Sequence, residues 1–206
     1  NNNLGSYVSY YPDYAMTAGP TARNILNGDS TTYTVVIPGI KGPFNERVKF
    51  SVAPDTLPLS GTLQFTFANG KDSISTFPDS VILKVKAIGS VTPRRYKLNI
   101  KGRTSITGTT IHIRTVDLFV NSSQLTIGTN RNGICDFKVN GVQYNSLQNL
   151  TFPNGTSVTV EAISPKTVGF NRYIFQNWSD NGGIIHNVVI NSNTTLQANY
   201  KLQCRL

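Results

Sequence analysis

Charge is scarce in this 206-residue chain: 14% of residues carry one, ten acidic against nineteen basic, for a formal net charge of +9. Few carboxylates means few native-state ion pairs to lose as pH falls, which suits an extracellular and even acidic setting. The basic excess is scattered; its densest group is Pro93-Arg94-Arg95-Tyr96-Lys97, and that dispersal speaks against a nucleic-acid partner. Histidine is nearly missing. His112 alternates with Ile111 and Ile113 and is expected on the outward face of a strand, while His186 has no Cys, Asp or His at ligand spacing, so neither a metal nor a cofactor is expected. No phosphate-cradling glycine loop, nucleophile elbow, HExxH or calcium-loop pattern occurs, and the dispersed acids do not favour paired-carboxylate chemistry. Catalysis needs titratable groups gathered in one place, and the expectation is that this is not an enzyme. There is also no run approaching the roughly 18 apolar residues of a membrane-spanning helix. A chain that opens on Asn1 reads as a secreted protein trimmed of its signal peptide.

Cysteine is limited to Cys135 and Cys204. In a secreted chain an even pair reads most simply as one disulfide, worth about 4 kcal/mol for a loop of this length in the chain-entropy model. Two free thiols are the alternative.

What the chain has in abundance is period-two alternation and polar, uncharged surface. Strands are expected over residues 31–37, 46–52, 61–67, 81–87, 95–101 and 110–120, with Tyr33/Val35/Ile37, Val48/Phe50/Val52, Leu63/Phe65/Phe67, Val81/Leu83/Val85 and Tyr96/Leu98/Ile100 as inward rows. In the last of these, Ile111 and Ile113 fit the same inward face as Val116, Leu118 and Val120 only if one residue near Thr115 is skipped, as in a bulge. The succession over residues 13–120 resembles the immunoglobulin-like modules of prokaryotic surface proteins, which implies a β-sandwich.

Asn121-Ser122-Ser123 reads as a polar joint, after which Phe137 to Val142 runs through an Asn140-Gly141 hairpin turn. Further on, Phe175, Trp178-Ser179, Asn193-Thr194-Thr195-Leu196, Ala198 and Tyr200 form a pattern similar to the small β repeat domains of bacterial and archaeal surface proteins, the internalin B-repeat kind among them. That resemblance covers residues 121–206 and implies a spacer with Trp178 as a core anchor. Sequons start at Asn121, Asn149, Asn154, Asn177 and Asn193, all in this half, and N-linked glycans are expected on them.

Ahead of Pro12-Asp13 stands Leu4-Gly5-Ser6-Tyr7-Val8-Ser9-Tyr10-Tyr11, uncharged, aromatic and β-prone, unlike a solvated tail. As a strand it puts Leu4, Ser6, Val8 and Tyr10 on one side and Gly5, Tyr7, Ser9 and Tyr11 on the other. Residues 1–12 either complete their own sandwich or add a strand to another molecule, and head-to-tail donation that does not close gives an open filament. With this tail, the whole chain resembles the subunit of the archaeal extracellular threads of Sulfolobales. That resemblance implies an all-β, glycosylated surface filament of identical copies linked by donor-strand complementation, with roles in adhesion or biofilm by analogy. A monomeric secreted adhesin or carbohydrate-binding surface protein is the alternative, with Tyr144, Phe170 and Tyr173 as its platform.

Overall fold

A computed structural model describes residues 12–104 and 110–204, and its main boundary between compact units falls between Val120 and Asn121. The protein is all-β; among the described residues the only helical geometry is a 3-10 turn at Ala68–Gly70. The proposed donor residues Leu4, Ser6, Tyr7, Val8, Tyr10 and Tyr11 lie outside the described residues.

The first unit runs through β1 (Asp13–Tyr14), β2 (Thr17–Gly19), β3 (Ala22–Ile25), β4 (Ser30–Ile37), β5 (Ile40–Lys41), β6 (Val48–Pro54), β7 (Thr62–Phe67), β8 (Ser73–Ile74), β9 (Asp79–Ile88), β10 (Arg94–Thr104) and β11 (Ile111–Val120). One main sheet has the order β2-β4-β9-β7 and the other β3-β11-β10-β6-β8, with β1 and β5 forming a separate two-stranded pair. Alternation puts Tyr33, Val35 and Ile37 of β4, Val81, Leu83 and Val85 of β9, and Tyr96, Leu98 and Ile100 of β10 into one shared core. Between the sheets these rows exclude water, each buried aliphatic side chain contributing about 1.5–3 kcal/mol. The first sheet repeats the A-B-E-D order of immunoglobulin domains, and β3 joins the second sheet parallel to β11, Asp117 facing Ala22 and Val120 facing Ile25. Near the start of β10, the Tyr96 hydroxyl donates back to Thr92 O at 2.7 Å, the tyrosine corner of such sandwiches.

Two expectations for β11 are corrected. Ile111 and Ile113 are 41% and 52% exposed, whereas Val116, Leu118 and Val120 are buried, so the even-numbered residues face inward and no residue need be skipped at Thr115. His112 shares that inward parity. It is half-buried against the Tyr14 ring, centroids 4.6 Å apart at 85°, instead of standing on the outward face.

The second unit comprises β12 (Ser122–Thr129), β13 (Phe137–Val139), β14 (Val142–Tyr144), β15 (Gln148–Pro153), β16 (Thr156–Ala162), β17 (Lys166–Val168), β18 (Asn171–Trp178), β19 (Ile185–Ile190) and β20 (Thr194–Cys204). Its sheets have the orders β15-β12-β20-β18-β17 and β14-β13-β16-β19. The Asn140-Gly141 turn between β13 and β14 forms as the sequence predicts, with φ of 48° and 82°, values that Asn and Gly tolerate. Leu125, Ile127, Phe137, Val158, Val160, Trp178 and Leu196 pack in the core with Tyr200, whose single hydroxyl proton is shared between Asp136 O and Ile163 O at 3.0 and 3.1 Å. The supposed joint Ser122-Ser123 is instead the start of a central strand. Both serines are buried, and β12 lies antiparallel to β15 and parallel to β20, Leu125 facing Thr194 and Thr129 facing Ala198.

Replacing Tyr96 by Phe removes the bond to Thr92 and leaves that carbonyl without its hydroxyl donor. The expected cost is about 1–2 kcal/mol, read as a lower urea midpoint with an unchanged slope.

Candidate functional site

No group of three or more His, Cys, Asp or Glu side chains with metal-binding placement occurs among the described residues. What the two units offer to other molecules is strand edges, a sequon-bearing sheet, and two histidine clusters.

Sheet order determines where the sequons fall. Asn149 lies on β15 and Asn177 on β18; Asn121 immediately precedes β12, Asn154 immediately follows β15, and Asn193 immediately precedes β20. Asn149 and Asn177 thus lie within strands of the β15-β12-β20-β18-β17 sheet, whereas Asn121, Asn154 and Asn193 lie in connections at strand ends, the Asn154 sequon running onto β16 at Thr156. Asn149, Asn154, Asn177 and Asn193 are exposed. Each accepts a hydrogen bond at Oδ1: from Thr126 Oγ1 at 2.8 Å, Ser123 Oγ at 2.7 Å, Asn199 Nδ2 at 3.1 Å and Gln124 N at 2.9 Å respectively. These bonds engage the amide oxygen, whereas glycan attachment uses the nitrogen. Asn121 differs. It is half-buried at φ 45°, and the hydroxyl of its sequon, on Ser123, is buried and donates to Asn154.

The expected disulfide is not formed among the described residues. Cys135 is a buried free thiol in the second core, its pKa pushed up first by burial and then by the neighbouring Asp136 carboxylate. Cys204 ends β20 opposite Asn171, and its side chain lies outside the described residues. The three-aromatic platform is likewise not assembled. Tyr173 is buried and Tyr144 stacks on Phe137 with ring centroids 5.8 Å apart, leaving Phe170, 96% exposed at the β17–β18 turn.

Both histidines pair with a carboxylate. His112 Nε2 is 2.7 Å from Asp13 Oδ1, which also accepts the Tyr14 amide at 2.7 Å. His186 Nε2 is 2.9 Å from Asp180 Oδ2 and Nδ1 is 2.9 Å from Gly183 O, so both bonds coexist only with a doubly protonated ring. The imidazole occupies the space a Cβ on Gly182 would need. Sequence spacing missed both pairs: Asp13 is 99 residues from His112, and Asp180 reaches His186 only because the 179–184 turn folds back.

Burial pushes the Asp13 and Asp180 carboxyls up, but opposing causes outweigh it and hold both below the ordinary value: for Asp13 the His112 and Tyr14 bonds with the His112 and Lys41 charges, for Asp180 the Gly182 and His186 bonds with the His186 charge.

No family model matches the chain, and no curated protein matches it. Among solved structures, the chain is similar to BcpA, the major pilin subunit of Bacillus cereus, at 10% identity and TM-score 0.32, covering 92% of this chain and 70% of that one. It is also similar to the periplasmic chaperone SfaE at 10% identity and TM-score 0.41, covering 90% and 98%. A third similarity, to the secreted serine protease VesC from Vibrio cholerae, has 11% identity and TM-score 0.33 over 94% and 44%. At these scores none of them carries an argument about what this chain does.

Because the folded pKa of each aspartate is depressed, its contribution to stability is complete above the unfolded value near pH 4 and is lost as pH falls through the lower folded value. An Asp13→Asn/Asp180→Asn variant is therefore expected to lose less stability than the parent on acidification from about pH 5 to pH 2, measured by urea midpoints across the series.

Proposed function

We propose that the chain is a structural subunit of an extracellular filament of the archaeal thread kind, polymerised head to tail by donation of the segment 4–11 from one copy to the next. The observation that carries this reading is a mismatch between tail and body. The tail is uncharged and β-prone with large side chains on both rows, while the buried cores of the two units are built from strands of the described body. A segment so composed gains most by pairing with an open sheet edge, where main-chain hydrogen bonds supply affinity and alternate side chains supply fit. The role is structural and non-enzymatic, and the partner is another copy of the chain at the cell surface, with adhesion or biofilm as the purpose.

N-linked glycans on the second unit belong to the same reading. Four exposed sequon asparagines, Asn149 and Asn177 within one sheet and Asn154 and Asn193 in connections at its strand ends, support a glycan coat on this unit, with Asn121 the least accessible acceptor. One further observation favours a second reading, a carbohydrate-contacting surface module: Phe170 stands exposed beside a shallow depression lined by Thr167 and Arg172.

Filaments that persist on dilution in negative-stain images, and their replacement by dispersed particles with an unchanged β-type circular dichroism spectrum when residues 1–12 are deleted, are the expected result. Dispersed full-length protein, or filaments indifferent to the deletion, would sink the filament reading; glycan-array binding lost on Phe170→Ala would favour the second. Glycopeptide mass spectrometry of protein from its native source should find Asn149, Asn154, Asn177 and Asn193 occupied and Asn121 the least so.

A further inference from the structure

The described edges differ in length, and length selects first. β2, β3, β8, β14 and β17 offer two to four residues each, whereas β7, β15 and β19 offer six. An eight-residue segment spans about 26 Å as a strand and needs a six-residue edge to engage most of its length. β15 carries the sequon at Asn149 and ends at Pro153, which has no N–H, with the sequon Asn154 next to it. β7 and β19 remain.

Register shows which main-chain groups of β19 face outward. Asn140 N donates to Thr159 O and Thr159 N donates to Asn140 Oδ1, so the peptide groups of Thr159 point toward β13, away from β19. Thr159 lies opposite Asn187. On the other parity, Gly155 N donates to Ile190 O and Ala162 N to Ile184 O. In an antiparallel pair these patterns alternate, so Ile184, His186, Val188 and Ile190 direct their peptide groups inward, and Ile185, Asn187 and Val189 direct theirs to the open edge.

Side chains separate the two candidates. Outward-facing residues on β7 are Thr62, Gln64 and Thr66, all polar. On β19 the outward face carries Ile185 and Val189, 58% and 54% exposed, on either side of exposed Asn187, and the other face carries half-buried His186 and Val188 and buried Ile190. The outward face of β19 is thus more apolar than that of β7. The segment 4–11 is the matching strand, with Leu4, Val8 and Tyr10 on one row and Tyr7 and Tyr11 on the other. Asn149 and Asn177, the two sequon asparagines that lie within strands, are both on the other sheet of this unit.

Resting on the filament reading above, we infer that the outer edge of β19 is the acceptor: the segment 4–11 of a second copy adds to the β14-β13-β16-β19 sheet through the peptide groups of Ile185, Asn187 and Val189.

The test uses full-length protein with p-benzoylphenylalanine at position 7, assembled from a mixture of isotopically heavy and light copies and irradiated. Heavy-to-light cross-links onto residues 184–190 are expected. A Val189→Lys variant, and separately Ile185→Lys, should retain the parent melting profile and lose filaments at least tenfold by pelleting, whereas Thr66→Lys on β7 should polymerise like the parent. Heavy-to-light cross-links onto another edge, or unimpaired polymerisation of both β19 variants, would overturn this acceptor and leave the filament reading standing. Cross-links confined within single copies would overturn the filament reading itself.

Discussion

A chain built of strands satisfies its peptide groups only by lateral pairing, and a sheet that does not close on itself leaves a row of them unpaired at each end. That constraint organises both units. In the first, the sheet edges are shortened to the two to four residues of β2, β3 and β8, leaving β7 as its one long described edge. In the second, β14 and β17 are equally short, and β15 ends in proline between two sequons. Against that background β19 stands out as a six-residue edge whose outward face carries the exposed aliphatic side chains Ile185 and Val189.

Polar side chains take over where charge is sparse. Asn154, Asn193 and Asn149 accept bonds that fasten β12 to its surroundings, and Asn130 receives the Tyr200 amide at Oδ1 while donating to Tyr200 O. Neutral amide pairs of this kind do not titrate, so they persist at pH values where ion pairs weaken. Lys138 with Glu161 and Lys166 with Asp136 add charge to the second unit, the latter at 2.6 Å with the carboxylate almost withdrawn from solvent.

Much of the sandwich was legible in the sequence because one sheet face is buried and the side-chain period is two. Tyr33, Val35 and Ile37 are inward as their spacing dictates, and Asn140-Gly141 turns as its backbone freedom dictates. β12 was not legible. Its leading serines imitate a linker, and their burial depends on β15 and β20, far along the chain. His112 was misassigned for the same reason, since Ile111 and Ile113 are outward residues whose apolar character suggested otherwise, and its partners Asp13 and Tyr14 come from the start of the body. The sequons could be counted from sequence, but which of them lie within strands and which in connecting turns follows from the strand bounds of the fold.

In the second unit, the first strand and the last lie side by side and run in the same direction, β12 against β20, and in the first unit β3 meets β11 in the same way. Tension applied at the two ends of the second unit pulls these neighbours past one another along their length. The load then falls on the whole ladder at once instead of opening it rung by rung, which gives the module a mechanical resistance that an antiparallel hairpin, unzipped from its mouth, does not have.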